Sequence, residues 1–174
     1  TFDNSISISP SWRDSGTRLF YTAYINKYPN IYAVDIQTGK RTRYLYFPGL
    51  NAQPAVSPDG KTMAMVLSKD GNPEIYTVDI DSNRLTRITN TKAVESSPTW
   101  SPDSRKIAYT SDRAGSPQIY VQEARAGGEA RRVSFGSQYF SSPDWSPKGD
   151  LIACSGSVGG RYQIFLINPE TRDC

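Results

Sequence analysis

Two short signatures recur in phase along this chain, and nothing else in it constrains the fold as tightly. The first is a proline-centred segment: Pro10-Ser11-Trp12, Pro54-Ala55-Val56, Pro98-Thr99-Trp100 and Pro143-Asp144-Trp145. Counted from the Trp or Val, the steps are 44, 44 and 45 residues. The second is Ile31-Tyr32, Ile75-Tyr76, Ile119-Tyr120 and Ile164-Phe165, which keeps the same 44, 44 and 45. Two independent markers on one beat define an internal repeat, and a repeat of this length belongs to stacked supersecondary units rather than to one irregular core.

Each repeat reads as four strands. Strand A carries the x-Pro-x-Trp segment. Ser57-Pro58-Asp59-Gly60 then places Pro, Asp and Gly where a type I turn favours them. Strand B follows at 62–67, 106–110 or 151–155, and a Gly/Asn/Pro loop such as 68–73 interrupts the pattern. Strand C at 74–80 alternates Tyr76, Val78 and Ile80 on one face, as Tyr32, Val34 and Ile36 do a repeat earlier. Strand D occupies 84–89. Helical periodicity is absent at useful length, and 11 Tyr beside 13 Gly and 12 Pro suit short strands joined by turns. The reading is an all-β propeller with about four four-stranded blades, over 9–46, 53–89, 97–134 and 142–174. The last blade ends without a clear strand D; residues 1–8, with Ile6 and Ile8 alternating, would supply one as a clasp. Trp12, Trp100, Trp145 and the strand C aromatics are expected to fill the space between blades as core.

With strand A innermost and directions alternating, the D-to-A and B-to-C loops emerge together on one face. The Ser-Pro-Asp-Gly turns line the other. The loop face is variable in length and composition, and binding residues concentrate on such loops when a rigid scaffold holds them.

Composition excludes several chemistries. The chain has no histidine, which removes Ser-His-Asp and Cys-His catalysis and the commonest zinc ligand. Its 20 Lys and Arg are scattered and the net charge is only +3, unlike the concentrated basic stripe of a nucleic-acid binder. No apolar run approaches a membrane span and no signal peptide opens the chain; Thr1 reads as the start of a processed or cut segment. Cys154 in a strand-like run reads as a small buried apolar residue, and two cysteines make no disulfide framework. Gly60-Lys61-Thr62 resembles the end of a P-loop but continues into a strand, with Ala55 where the first Gly is needed. Asp79, Asp81 and Asn83 have the opening spacing of a calcium loop, yet Arg84 replaces its Gly and Asn90 its bidentate Glu. Nothing nominates a catalytic residue, metal ligand or cofactor site.

Ser57-Pro58-Asp59-Gly60-Lys61, Pro98-Thr99-Trp100-Ser101-Pro102-Asp103-Ser104 and above all the run from Ala108 through Ser111-Asp112-Arg113-Ala114-Gly115 to Ile119-Tyr120 resemble the C-terminal propeller family of TolB proteins of the Tol–Pal system. Leu67-Ser68-Lys69-Asp70-Gly71 with Ile75-Tyr76-Thr77-Val78-Asp79 is similar to the preceding blade of that family. The resemblance implies a six-bladed propeller, of which this chain is a part, following a small α/β domain. It implies a periplasmic, non-catalytic protein that docks a Pal-like lipoprotein over the channel mouth, communicates with a TolA-like protein through its N-terminus, and supports outer-membrane integrity, cell division and Tol-dependent import by colicins. Carried over by register, the docking positions are Leu50, Asn51 and Gln53; Glu95, Ser96 and Ser97; and Phe140, Ser141 and Ser142. All nine are expected on solvated loops, so that changing Glu95 or Ser96 would weaken docking and leave unfolding nearly unchanged. The alternative is a regulatory propeller of a prolyl-oligopeptidase-like enzyme whose catalytic domain lies elsewhere. A third reading, a sugar- or metal-handling propeller lyase or hydrolase, is opposed by the missing histidines. An incomplete ring would leave blade edges open to self-association.

Overall fold

The computed structural model describes residues 5–13, 16–25 and 28–173. The first four strands are β1 (Ser7–Arg13), β2 (Arg18–Ile25), β3 (Tyr28–Asp35) and β4 (Arg41–Leu45). Next come β5 (Asn51–Val56), β6 (Thr62–Leu67), β7 (Glu74–Asp79) and β8 (Leu85–Arg87). The third set is β9 (Glu95–Trp100), β10 (Lys106–Ser111), β11 (Gln118–Glu123) and β12 (Arg131–Arg132). The last is β13 (Phe140–Trp145), β14 (Ile152–Val158) and β15 (Arg161–Ile167). Each set forms its own antiparallel sheet in chain order, three sheets of four strands and a fourth of three. The described residues contain no α-helix.

The turns behave as their residues dictate. Gly60, Ser104 and Gly149 donate back to the carbonyls of Ser57, Ser101 and Ser146 at 2.8–2.9 Å. The serine that opens each of the first two turns also ties its ends: Ser57 Oγ donates to Asp59 and accepts from the Thr62 N–H, and Ser101 Oγ repeats this with Asp103 and Lys106. The closing residue must be left-handed, φ 72° at Gly60 and 60° at Ser104, which is why Gly recurs there. Ser104 accepts the cost of a Cβ, and its Oγ receives the Asp59 N–H of the preceding turn.

The inner strands β1, β5, β9 and β13 pack side by side in that order, so the sheets stand as successive blades. Three apolar clusters fill the gaps between neighbours. Phe20, Ile31 and Ala33 meet Met63, Met65 and Tyr76; Val66 and Ile75 meet Trp100, Ile107 and Tyr109; Ile119 and Val121 meet Phe140, Trp145 and Ile152. Both faces of a middle blade are therefore covered. That is why β7 is buried at five of its six positions, although its sequence alternates as a half-exposed strand would.

The repeat is regular and its ends are not. Trp100 and Trp145 are 7% and 8% exposed, whereas Trp12 at the same register is 58% exposed. The expectation of three core tryptophans therefore fails at Trp12, because no described sheet precedes the first blade. At the other end Ile164 is 75% exposed where Ile31, Ile75 and Ile119 are fully buried. Ser7 and Ile8, expected in a clasp on the fourth blade, instead pair with Ala23 and Thr22 as part of β1. Residues 1–4 of that segment lie outside the described residues.

Trp100→Ala should lower stability by about 3–5 kcal/mol, since it empties an inter-blade gap and removes the indole N–H donated to the Ala55 carbonyl. Trp12→Ala should cost under about 1 kcal/mol. Paired urea melts check this, and equal losses would show that Trp12 is covered in solution.

Candidate functional site

Each inner strand is broken at the residue before its proline. Ser9, Gln53, Ser97 and Ser142 have φ of 53°, 52°, 52° and 53°, the left-handed region that side-chain-bearing residues avoid. At each of these points the pairing register slips: between Ile8 and Ser11, Ala52 and Ala55, Ser96 and Thr99, and Ser141 and Asp144. These are β-bulges, devices that re-aim side chains at the rim of a sheet. The four x-Pro pairs, Ser9-Pro10, Gln53-Pro54, Ser97-Pro98 and Ser142-Pro143, converge on one cavity of about 170 Å³. Proline suits this place because its missing N–H is one fewer donor to satisfy inside a broken ladder.

The strain, on the order of 1–3 kcal/mol per residue, is held by bonds to the preceding blade. The Gln53 N–H donates to Thr22 Oγ1 at 2.8 Å, and the Ser142 N–H donates to Thr110 Oγ1 at 3.1 Å. Between them, the register position of Thr22 and Thr110 is Val66, which offers no hydroxyl. There the Gln53 side chain takes over, its Oε1 accepting the Ser97 N–H at 2.7 Å.

The loops entering these strands share a face with the B-to-C loops. The Leu50 N–H donates to Ser68 Oγ, the Val94 N–H to the Asp112 carboxylate, and the Ser157 N–H to the Tyr139 carbonyl. The nine positions singled out from sequence fall here, but burial divides them. Gln53, Ser97 and Ser142 line the cavity, and Ser142 is exposed. Leu50, Ser96 and Ser141 are partly buried beside them. Asn51, Glu95 and Phe140 are fully buried, which corrects the expectation of solvated loop residues.

Those three share one register and secure their loops in three different ways. Asn51 Nδ2 donates to the Phe47 and Gly49 carbonyls, closing its loop on itself. Phe140 packs edge-on against Phe165 at 5.2 Å between centroids, and a Cβ on its strand partner Gly156 would come within 2.8 Å of the Phe140 ring. Glu95 accepts from Arg113 Nη2 at 2.9 Å and Thr91 Oγ1 at 2.8 Å. Arg113 in turn donates to Tyr109 Oη and lies 4.4 Å from the Tyr120 ring centre. Burial pushes the Glu95 carboxyl above its ordinary value against the pull of Thr91 and Arg113. Burial also works against the charge of Arg113, yet Tyr109 and Glu95 raise its pKa. The buried carboxylate is balanced by one ion pair and the Thr91 hydroxyl, so removing Arg113 strands Glu95.

The described residues hold no group of three or more His, Cys, Asp and Glu placed for a metal, and no helix among them is long and apolar enough to cross a membrane. The cavity presents hydroxyls, an amide and proline rings.

Blades radiating from bulged inner strands, with one cavity between them, define a β-propeller. Residues 1–174 match the model of the TolB beta propeller domain, and the chain belongs to that family. The Tol-Pal system protein TolB of Francisella tularensis subsp. tularensis (strain WY96-3418) is 42% identical over 67 residues, 38% of this chain and 15% of that protein. The crystal structure of TolB from Acinetobacter baumannii superposes with a TM-score of 0.84 at 33% identity, covering 96% of this chain and 42% of that one. A puromycin-hydrolyzing peptidase of Mycobacterium tuberculosis shares the fold alone, with a TM-score of 0.75 at 16% identity over 97% of this chain and 30% of its own. The chain thus covers less than two thirds of the length of the TolB proteins it matches.

Arg113→Ala should destabilise by about 3–5 kcal/mol by leaving Glu95 buried without its counter-charge. The double variant Arg113→Leu with Glu95→Leu should recover most of that loss. Chemical denaturation of the set checks it; no recovery in the double variant would mean that the ion pair is not the unit of stability.

Proposed function

We propose that this propeller is a non-catalytic protein-docking module of the Tol–Pal system, working in the periplasm. Its partner is a Pal-like lipoprotein that seats over the mouth of the cavity and contacts the loops before Pro54, Pro98 and Pro143. In the longer protein, a TolA-like partner is reached through the N-terminus, and the assembly supports outer-membrane integrity, cell division and Tol-dependent import. The observation that carries this reading is the set of bulged x-Pro pairs, four left-handed residues around one cavity, three of them held by hydrogen bonds to the preceding blade. Strain repeated at one place, and restrained there, is what a preorganised recognition surface requires. Membership of the TolB beta propeller domain family and similarity to Tol-Pal system proteins support a protein partner.

Leu50, Gln53, Ser96, Ser97, Ser141 and Ser142 are the residues available for contact, because Asn51, Glu95 and Phe140 are committed to holding the loops. Calorimetric titration with the soluble domain of a Pal-like lipoprotein should give saturable heat at micromolar concentrations. Ser142→Trp should weaken it by at least about tenfold by blocking the mouth, with only a modest fall in melting temperature from a bulky side chain at a left-handed residue. Absence of heat, or full affinity in Ser142→Trp, would contradict the docking site.

A further inference from the structure

The residue four positions before each inner-strand proline is apolar in every blade: Ile6, Leu50, Val94 and Tyr139. Around it the repeat drifts. The following position is Ser7, Asn51, Glu95 or Phe140, and the loops that end in Leu50, Val94 and Tyr139 read YFPGL, NTKAV and FGSQY. Apolar residues scattered singly over a surface carry no message, but one register kept apolar inside divergent surface loops does. Each blade also fixes the backbone of that residue. The Tyr24 N–H donates to the Ile6 carbonyl at 2.9 Å, and Leu50 and Ser68 exchange two bonds at 2.8 and 3.1 Å. The Val94 N–H donates to the Asp112 carboxylate at 2.9 Å, and the Ser157 N–H to the Tyr139 carbonyl at 3.1 Å. The four partners stand 18 residues further on in every case, in the B-to-C loop of the same blade.

The side chains are steadied as well. Leu50 packs against the cluster of Val66, Ile75 and Trp100 and remains half-buried, and Tyr139 meets Tyr162 edge-on at 5.7 Å between centroids. Val94, in the third blade, is 46% exposed. The surface they frame is almost without charge. Ser, Gln and Pro line the cavity three residues further along each strand. Among the fifteen residues of the three loops, Lys92 is the one charged side chain. The charges beside them are committed: Asp112 to the Val94 N–H, Glu95 to Arg113, and Asp70 to Lys69.

We infer that Leu50, Val94 and Tyr139 form an apolar collar around the cavity, and that it receives the apolar flanks of a protruding partner segment whose uncharged polar tip meets the Ser and Gln lining. This rests on the docking reading above and names the chemistry of the partner's contact surface. Residues whose backbone is already fixed lose little freedom on binding, the condition under which a few apolar anchors carry most of an interface's energy. Asp112 is a positioning residue in this scheme: it holds Val94 in place without touching the partner.

The test is calorimetric titration of the 174-residue chain with the soluble domain of a Pal-like lipoprotein, at about 50 and about 500 mM NaCl. The parent's dissociation constant should change by less than about threefold between the two, because the collar and cavity recognise uncharged groups. Val94→Ser should weaken binding about tenfold and Val94→Ile should not, with both melting close to the parent. Asp112→Ala should weaken binding about fivefold, and Asp112→Asn, whose amide oxygen still accepts the Val94 N–H, should restore it. Added to Val94→Ser, Asp112→Ala should cost little more, whereas general damage to the loop would add its full effect. Heat from the parent with unaltered binding by Val94→Ser, or with a tenfold loss at high salt, would overturn the collar and leave docking at the cavity standing. No heat from the parent would remove the docking reading and the collar with it.

Discussion

A left-handed residue before a proline, set once per blade into the innermost strand, governs both how the blades join and what they present. An uninterrupted inner strand would keep its N–H groups in its own ladder and leave the preceding blade to apolar contact alone. The bulge turns the Gln53, Ser97 and Ser142 amides toward the neighbouring blade, where Thr22, Gln53 and Thr110 receive them. It also brings the four x-Pro pairs to one cavity. Stability and recognition surface thus come from the same distortion, and the tryptophans and aliphatics behind it supply the burial that sustains its cost.

The loops above the bulge show how a repeat tolerates divergence. One register, Asn51, Glu95 and Phe140, serves the same purpose through a loop-closing amide, a buried ion pair and an aromatic edge contact. Asn51 needs only its own loop, whereas the other two need a matched partner elsewhere in the blade. Glu95 has Arg113, and Phe140 has Gly156, where a side chain would collide with its ring. The blades can therefore carry different loop surfaces on one frame.

Much of this was legible in the sequence, for physical reasons that also explain the misses. The period, the four-strand blade and the Ser-Pro-Asp-Gly turns follow from local chemistry that repeats. The x-Pro position was legible as a landmark but not as a bulge, because a left-handed Ser or Gln has no signature in composition. Glu95 read as a loop carboxylate because its partner Arg113 lies 18 residues away, across a turn that only the folded blade brings back. The outer segments Arg87-Ile88-Thr89 and Arg132-Val133-Ser134 read as strand D, yet the bonds of Arg87 to Glu74 and of Arg132 and Ser134 to Gln118 depend on cross-strand register. Trp12 is exposed because no described sheet packs against its side of the first blade, and a repeat pattern carries no sign of that.

Amide hydrogen exchange, with and without a Pal-like lipoprotein domain, tests most directly whether the bulged strands frame the docking surface. The account predicts added protection in the segments 50–53, 94–97 and 139–142, with the turns at 57–61 and 101–106 unchanged. Protection on those turns instead, or along β15 alone, would contradict it.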